Sequence, residues 1–175
     1  MPGWLPPVRR AVLVPTASAP LPSAPFVEDA AALLRAGAEV DRLDLAGASR
    51  AEVETALADA QVVFVTGGYA IHLLEHARRS GFDRVAGAAV RAGRLAYAGI
   101  SAGAALAGPD LALFQDRDDP GTVTSTEGLG LVPFTVLAHR DRGRAARHDR
   151  LAGVSLNDDQ AVVVEDGAWR IVRSP

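Results

Sequence analysis

Three short apolar runs recur along the chain, AVLVP at 11–15, QVVFVT at 61–66 and RLAYA at 94–98, with stretches of helical spacing between them. That alternation constrains the fold more than any other feature. A strand of four to six mostly apolar residues without polar alternation has to be covered on both faces, as in a parallel sheet flanked by helices. The intervening segments meet that demand. Residues 26–37 (FVEDAAALLRAG) carry apolar side chains at helical spacing and end on a glycine, a helix stop. Residues 39–45 (EVDRLDL) alternate polar and apolar, as a half-exposed strand does. Ser49 with Glu52 three positions later forms a capping box and predicts a helix reaching Ala58. Two more helices are expected over 69–79 and 82–92. The expected fold class is therefore α/β, three-layer α/β/α with a mostly parallel sheet.

Beyond residue 110 the pattern loosens. The spacing predicts a strand over 134–138, a short helix over 143–151, and a hairpin of 160–165 with 168–172 around the turn Asp166-Gly167. No internal repeat or linker divides the 175 residues, so a single domain over 1–175 is expected, with 1–9 irregular. A net charge of −3 gives no electrostatic case for nucleic acid or an anionic membrane. No apolar run approaches the ~20 residues that span a bilayer. The start of the chain, MPGWLPPVRR, lacks the apolar segment of a signal peptide, and cysteine is absent. A cytoplasmic protein without disulfides, thiolate metal sites or a cysteine nucleophile is expected.

Two of the expected strands end in glycines that lead straight into helices, Gly67-Gly68 and Gly99. Ligands of open parallel sheets gather at such carboxyl ends. Residues 99–103, Gly-Ile-Ser-Ala-Gly, fit the G-x-S-x-G turn in which a serine is held on a sharp strand-to-helix corner. Only small neighbours let strand and helix approach closely enough there. The corner exposes Oγ at the sheet edge, beside N–H groups able to stabilise an anion. Ser101 is thus a candidate nucleophile. Of the four histidines, His139 follows the strand 134–138 at the end where the serine corner is expected, and is the candidate base. His148, among arginines on a helix, reads as a surface residue. The acid that orients the base is open between Asp158 and Asp159, or, if the order were Ser…acid…His, a residue such as Asp110, Asp116, Asp118, Asp119 or Glu127.

These segments, in this order, resemble the aspartyl dipeptidase (peptidase E) family of serine peptidases, relatives of cyanophycinase with a class I glutamine amidotransferase-like fold, itself similar to flavodoxin. VVFVTGGYAIHLLE (62–75) is similar to the family's strand–GGGN–helix segment, and YAGISAGAALAGP (97–109) to its serine corner. GLGLVPFTVLAH (128–139) resembles the segment ending in the catalytic histidine; ARHDRL (146–151) and GVSLNDDQAVVV (153–164) resemble the arginine helix and acid-bearing loop. The resemblance implies Ser101 as nucleophile, His139 as base and Asp158 as third member. It also implies an oxyanion hole of the Gly68 and Ala102 amides, and Arg147 and Arg150 as readers of a substrate carboxylate. The implied reaction is hydrolysis of very short peptides, first of all dipeptides with N-terminal aspartate, with no metal or organic cofactor. The implied partner is a short peptide; nucleic acid and membrane are not expected, and a homodimer is left open. The chain departs from the family in three places. Thr66 and Tyr69 flank the glycines where the family has GGGN, so Tyr69 enters the substrate site. The acid is aspartate where glutamate is usual, only nineteen positions after His139. A strand–helix unit at the N-terminus is expected to be missing.

Other readings compete. His72-Leu-Leu-Glu-His76 fits the zinc motif H-x-x-E-H, although no third ligand is evident. Residues 115–121 (QDRDDPG) hold three aspartates, but a solvated turn, or a lid over the site, fits them better than a cation loop. The same serine could serve an esterase or a peptidase of altered end-specificity. A non-catalytic binding module of the same fold is the alternative outside enzymes.

Overall fold

A computed structural model describes residues 8–174, so most of the irregular segment expected over 1–9 lies outside the described residues. The chain runs from β1 (Arg10–Val14) through α1 (Pro25–Arg35) to β2 (Glu39–Arg42), then through α2 (Arg50–Ala58) to β3 (Val62–Val65). From there α3 (Ala70–Arg79) and α4 (Phe82–Arg91) lead to β4 (Ala96–Gly99). The four strands are parallel in the order β2-β1-β3-β4. The first crossover moves one way from β1 and the later ones move the other way. With right-handed crossovers this puts α1 on one face and α2, α3 and α4 on the other.

The core records both layers through the two-residue period of the strands. Ala11, Leu13 and Val62 pack with Val27, Ala31 and Leu34 of α1. Val12, Val14, Val63 and Val65 pack with Val53, Leu57, Leu73, Leu74 and Phe82 on the opposite face. The expected capping box of α2 is present, with the Glu52 amide donating to Ser49 Oγ and the Ser49 amide to the Glu52 carboxylate. The expected three-layer α/β/α arrangement is thus formed by residues 10–99, with β1 and β3 flanking the point where the strand order reverses.

After β4 the short helix α5 (Ala102–Leu106) follows, and then a long irregular segment stitched by the isolated bridge of Asp110 with Glu127. β5 (Val136–Leu137) pairs in parallel with β6 (Val154–Ser155); between them lie a wide turn, Arg140–Arg144, and α6 (Ala145–His148). β7 (Gln160–Glu165) and β8 (Ala168–Arg173) form the expected hairpin. Positive φ at both Asp166 (50°) and Gly167 (79°) suits a tight turn of the primed type.

In the second half of the chain two elements are shorter than their sequence suggests, as β2, expected over 39–45, is in the first. The strand expected over 134–138 pairs only at Val136 and Leu137, because its partner β6 is itself two residues long. The helix expected over 143–151 is four residues long. Gly143, at φ 74°, breaks the chain before it, and the Arg150 and Leu151 amides close three-residue turns onto Arg147 and His148 that end it.

Candidate active site

Ser101 joins β4 to α5 with φ 52° and ψ −111°, outside both regular left-handed and right-handed geometry. Such backbone costs about 1–3 kcal/mol and persists only where the surroundings enforce it. Here they do so through glycines. A Cβ on Gly103 would stand 2.2 Å from the Val65 carbonyl oxygen, so α5 lies directly on the backbone of β3. A Cβ on Gly99 would stand 2.5 Å from the Gly103 carbonyl, so the end of β4 lies directly on the first turn of α5. Both glycines of the motif are therefore demanded by backbone-on-backbone contact. Tyr97 locks the same corner, its hydroxyl donating to the Gly103 carbonyl at 2.6 Å. Burial raises the phenol's pKa, which keeps it a donor.

Gly67 faces the serine from β3: a Cβ there would lie 3.0 Å from Ser101 Cβ and 3.6 Å from its Oγ. Gly68 adopts φ 136°, and a Cβ on it would fall 2.0 Å from the Ala17 carbonyl oxygen. The Tyr69 amide donates to that same carbonyl at 2.8 Å. The proline-rich loop after β1 is thus not a loose connection: Thr16, Ala17 and Ser18 form a buried turn that shapes the glycine corner. Among the described residues, the Gly68 and Ala102 amides have no protein acceptor.

His139 closes β5 in left-handed geometry, φ 67° and ψ 38°. Its Nδ1 lies 2.6 Å from Asp158 Oδ1. Arg142, three residues on, donates through Nε to the other carboxylate oxygen, Oδ2, at 2.5 Å. Burial alone would raise the pKa of Asp158, but the hydrogen bonds and charges of His139 and Arg142 outweigh it and lower it. An ionised carboxylate only accepts, so the ring donates to it through Nδ1–H. Asp158, not Asp159, holds the ring. Asp110 holds its own turn, its carboxylate accepting from the Ala112 amide at 2.6 Å, and Asp119 caps α3, its carboxylate accepting from the Ile71 and His72 amides at 2.8 and 2.9 Å.

Ser101, Gly68, Ala102, Tyr69 and His139 all line one cavity of about 930 Å³ at the carboxyl ends of β3 and β4. Arg117, Arg142, Arg144 and Arg147 line it too, against the single carboxylate of Asp116. Its walls therefore suit an anionic ligand. Arg147 is oriented by a hydrogen bond to the Leu113 carbonyl at 3.0 Å. Arg150, exposed on the same segment, is not part of the lining. His148 corrects the surface reading: it is buried, lines the cavity, and bonds Ser155 Oγ through Nδ1 at 2.8 Å. Burial first, then the charges of Arg144, Arg140 and Arg147, lower its pKa. Arg142 carried no separate signal in the sequence, being one of the arginines crowded into 140–150.

The 115–121 segment contributes Gln115, Asp116 and Arg117 to the cavity wall, while Asp119 is committed to α3. His72 and His76 meet edge to face with ring centres 4.5 Å apart. Among the described residues no three side chains of His, Cys, Asp or Glu are grouped to hold a metal ion. No helix among them is long and apolar enough to cross a membrane.

A parallel sheet flanked by helices, with a strained serine after one strand and, lining the same cavity, a histidine that is held from behind by a carboxylate, is the layout of hydrolases that carry their nucleophile on a strand-to-helix corner. The comparisons with known proteins are narrower. The chain belongs to peptidase family S51, whose model matches residues 6–173. It is 33% identical over 130 residues to an uncharacterized peptidase of Listeria monocytogenes, covering 68% of this chain and 63% of that one. An uncharacterized peptidase of Pasteurella multocida is 35% identical, covering 75% and 65%. Peptidase E of Streptomyces coelicolor is 36% identical over 65% of this chain and 49% of its own. The chain thus spans a little under two thirds of the length of the first two of these relatives. A crystal structure from Listeria monocytogenes, described provisionally as a peptidase E, superposes with a TM-score of 0.86 at 26% identity, covering 95% of this chain and 87% of that one.

Proposed function

We propose that this chain is a serine peptidase that hydrolyses very short peptides through an acyl-enzyme, with dipeptides bearing N-terminal aspartate as its first substrates. The observation that carries the reading is the common cavity: a strained serine, and a histidine already paired with a carboxylate, face a space lined by four arginines and one aspartate. Ser101 Oγ attacks the peptide carbonyl while His139 Nε2 takes its proton. Asp158 holds the ring and stabilises the imidazolium that results. The amides of Gly68 and Ala102 receive the developing oxyanion. The imidazolium then protonates the leaving amine. A water, deprotonated by the same nitrogen, releases the acid from Ser101. The sequence needs no metal or organic cofactor.

The arginines supply the preference for an acidic substrate. Arg147, held by the Leu113 carbonyl, is the reader of the aspartyl carboxylate, whereas Arg150 lies outside the lining and is assigned no role. Tyr69 stands in the lining next to Gly68 and limits the length of peptide admitted. We place the reaction in the cytoplasm.

The test is hydrolysis of aspartyl, alanyl, lysyl and prolyl dipeptides by wild type and Ser101→Ala. Cleavage of the aspartyl member, lost in Ser101→Ala, is the expected result. Serine-dependent cleavage of neutral dipeptides instead would keep the mechanism and overturn the specificity. No cleavage of any member would favour a binding module built on the same fold.

A further inference from the structure

The chain places an arginine, which neither the motif nor the family match assigns, on the carboxylate that holds His139. From the geometry we infer that Arg142 is a positioning residue: it fixes Asp158 in the orientation that keeps the His139 ring ready, and its effect on catalysis passes through Asp158. The inference rests on the peptidase reading only for its kinetic consequence.

The argument begins with exposure. The Asp158 side chain is 34% exposed and His139 22%, so water competes for the pair and an aspartate held at one oxygen would be free to rotate. The usual remedy, burial, is missing. In its place both oxygens are occupied from a single turn, Oδ1 by the His139 ring and Oδ2 by the Arg142 guanidinium. The turn is shaped for this grip. His139 is left-handed, the Arg142 amide donates to the His139 carbonyl at 3.1 Å, and Gly143 at φ 74° ends the turn. Asp141, between the two donors, accepts from the Asp158 amide at 3.2 Å. Main chain and side chain of Asp158 are thus held by consecutive residues, 141 and 142.

Arg142 is itself 63% exposed. A pair so open contributes little to stability, so a role in holding the fold together is a poor account of it. Orientation is a different matter. A carboxylate fixed at both oxygens cannot swing away from Nδ1, and small misplacements of catalytic groups cost large factors in rate. Arg142 also lines the cavity, and a direct contact with substrate is the rival role. The two roles separate in a double-mutant cycle.

The experiment measures kcat and KM for an aspartyl dipeptide with wild type, Arg142→Ala, Arg142→Lys, Asp158→Asn and the double variant Arg142→Ala/Asp158→Asn. A positioning role predicts that Arg142→Ala lowers kcat by about 10- to 100-fold with KM nearly unchanged. Arg142→Lys should restore part of the loss, and Arg142→Ala should add nothing once Asp158 is Asn. A rise in KM that persists in the Asp158→Asn background would overturn the inference in favour of substrate contact. Equal loss of kcat in both backgrounds would overturn it as well. The low-field proton resonance of His139 Nδ1–H supplies a readout independent of turnover. It should weaken or broaden in Arg142→Ala but remain in Ser101→Ala. If it is indifferent to Arg142 the inference fails, whether or not the chain cleaves peptides. If it depends on Arg142 in a chain that cleaves nothing, the peptidase reading fails and the positioning stands.

Discussion

The strain at Ser101 can be measured without any substrate. Two substitutions remove the hydroxyl but differ in what they leave. Ser101→Ala keeps the Cβ and with it the penalty of φ 52°, ψ −111°. Ser101→Gly removes both the Cβ and the penalty. Relief of strain is worth about 1–3 kcal/mol. Glycine also loosens the unfolded chain, which takes back about 0.4–1 kcal/mol. Ser101→Gly should therefore be more stable than Ser101→Ala by roughly 0.5–2 kcal/mol. For a domain of this size that is about 1–8 °C in Tm. Urea unfolding of both variants and wild type gives the comparison, with equal m-values confirming that the unfolded states match. Ser101→Gly equal to or less stable than Ser101→Ala would refute the reasoning, because the corner would then hold the serine without strain.

The glycines around the corner should part into two groups. Gly103→Ala forces a methyl to within 2.2 Å of the Val65 carbonyl, where only backbone can yield, and should cost about 3 kcal/mol or more in urea unfolding. Gly67→Ala crowds the Ser101 side chain at 3.0 Å and makes only ordinary contact with the Ile100 carbonyl at 3.5 Å, so it should stay within about 1 kcal/mol of wild type in stability. It should nonetheless slow hydrolysis by about tenfold or more, as the serine shifts. His148 should impose a pH dependence on stability. Its pKa is lowered in the folded chain, so as pH falls below the ordinary histidine value of about 6.5 the unfolded chain takes a proton that the native site refuses. Tm should fall from pH 7 toward pH 5, and His148→Asn should flatten that decline; His72, also lowered, first by burial and then by the His76 charge, accounts for slope that remains.

What the sequence made legible follows from how local each determinant is. The strands β1, β3 and β4 declare themselves through runs that must be buried on both faces. The box at Ser49 and the turn at Asp166-Gly167 are written within four residues each. The serine corner is legible for the same reason: Gly99, Ser101 and Gly103 are close in sequence, Gly99 lies on the backbone of Gly103 itself, and the contact of Gly103 with Val65 reaches no farther than the adjoining strand. Contacts between distant segments were not legible. Nothing in the proline-rich stretch announces that Ala17 will close over Gly68, since the signal there is only composition. His148 misled for a related reason. Its neighbours in sequence are arginines, but its neighbour in space is Ser155, brought in by a parallel pairing of two residues that no periodicity reveals.

That small pairing also explains how the short side chain of Asp158 reaches the His139 ring. β5 and β6 pair Val136 with Val154 and Leu137 with Ser155, and the Arg140 amide continues the contact onto the Leu156 carbonyl at 2.9 Å. The register thus carries the chain after β6 alongside the chain after β5, and delivers Asp158 next to His139 with little distance left to span. The separation of nineteen positions from His139 to Asp158 is then no defect. The intervening residues need only one wide turn and the single helical turn of α6 to return beside the strand they left. A short connection and a short acid are two consequences of one close approach. The approach leaves the pair near solvent, where an unaided aspartate would turn freely. The guanidinium three residues after the histidine answers that exposure from the same turn, so the shortened loop and its arginine are best understood together.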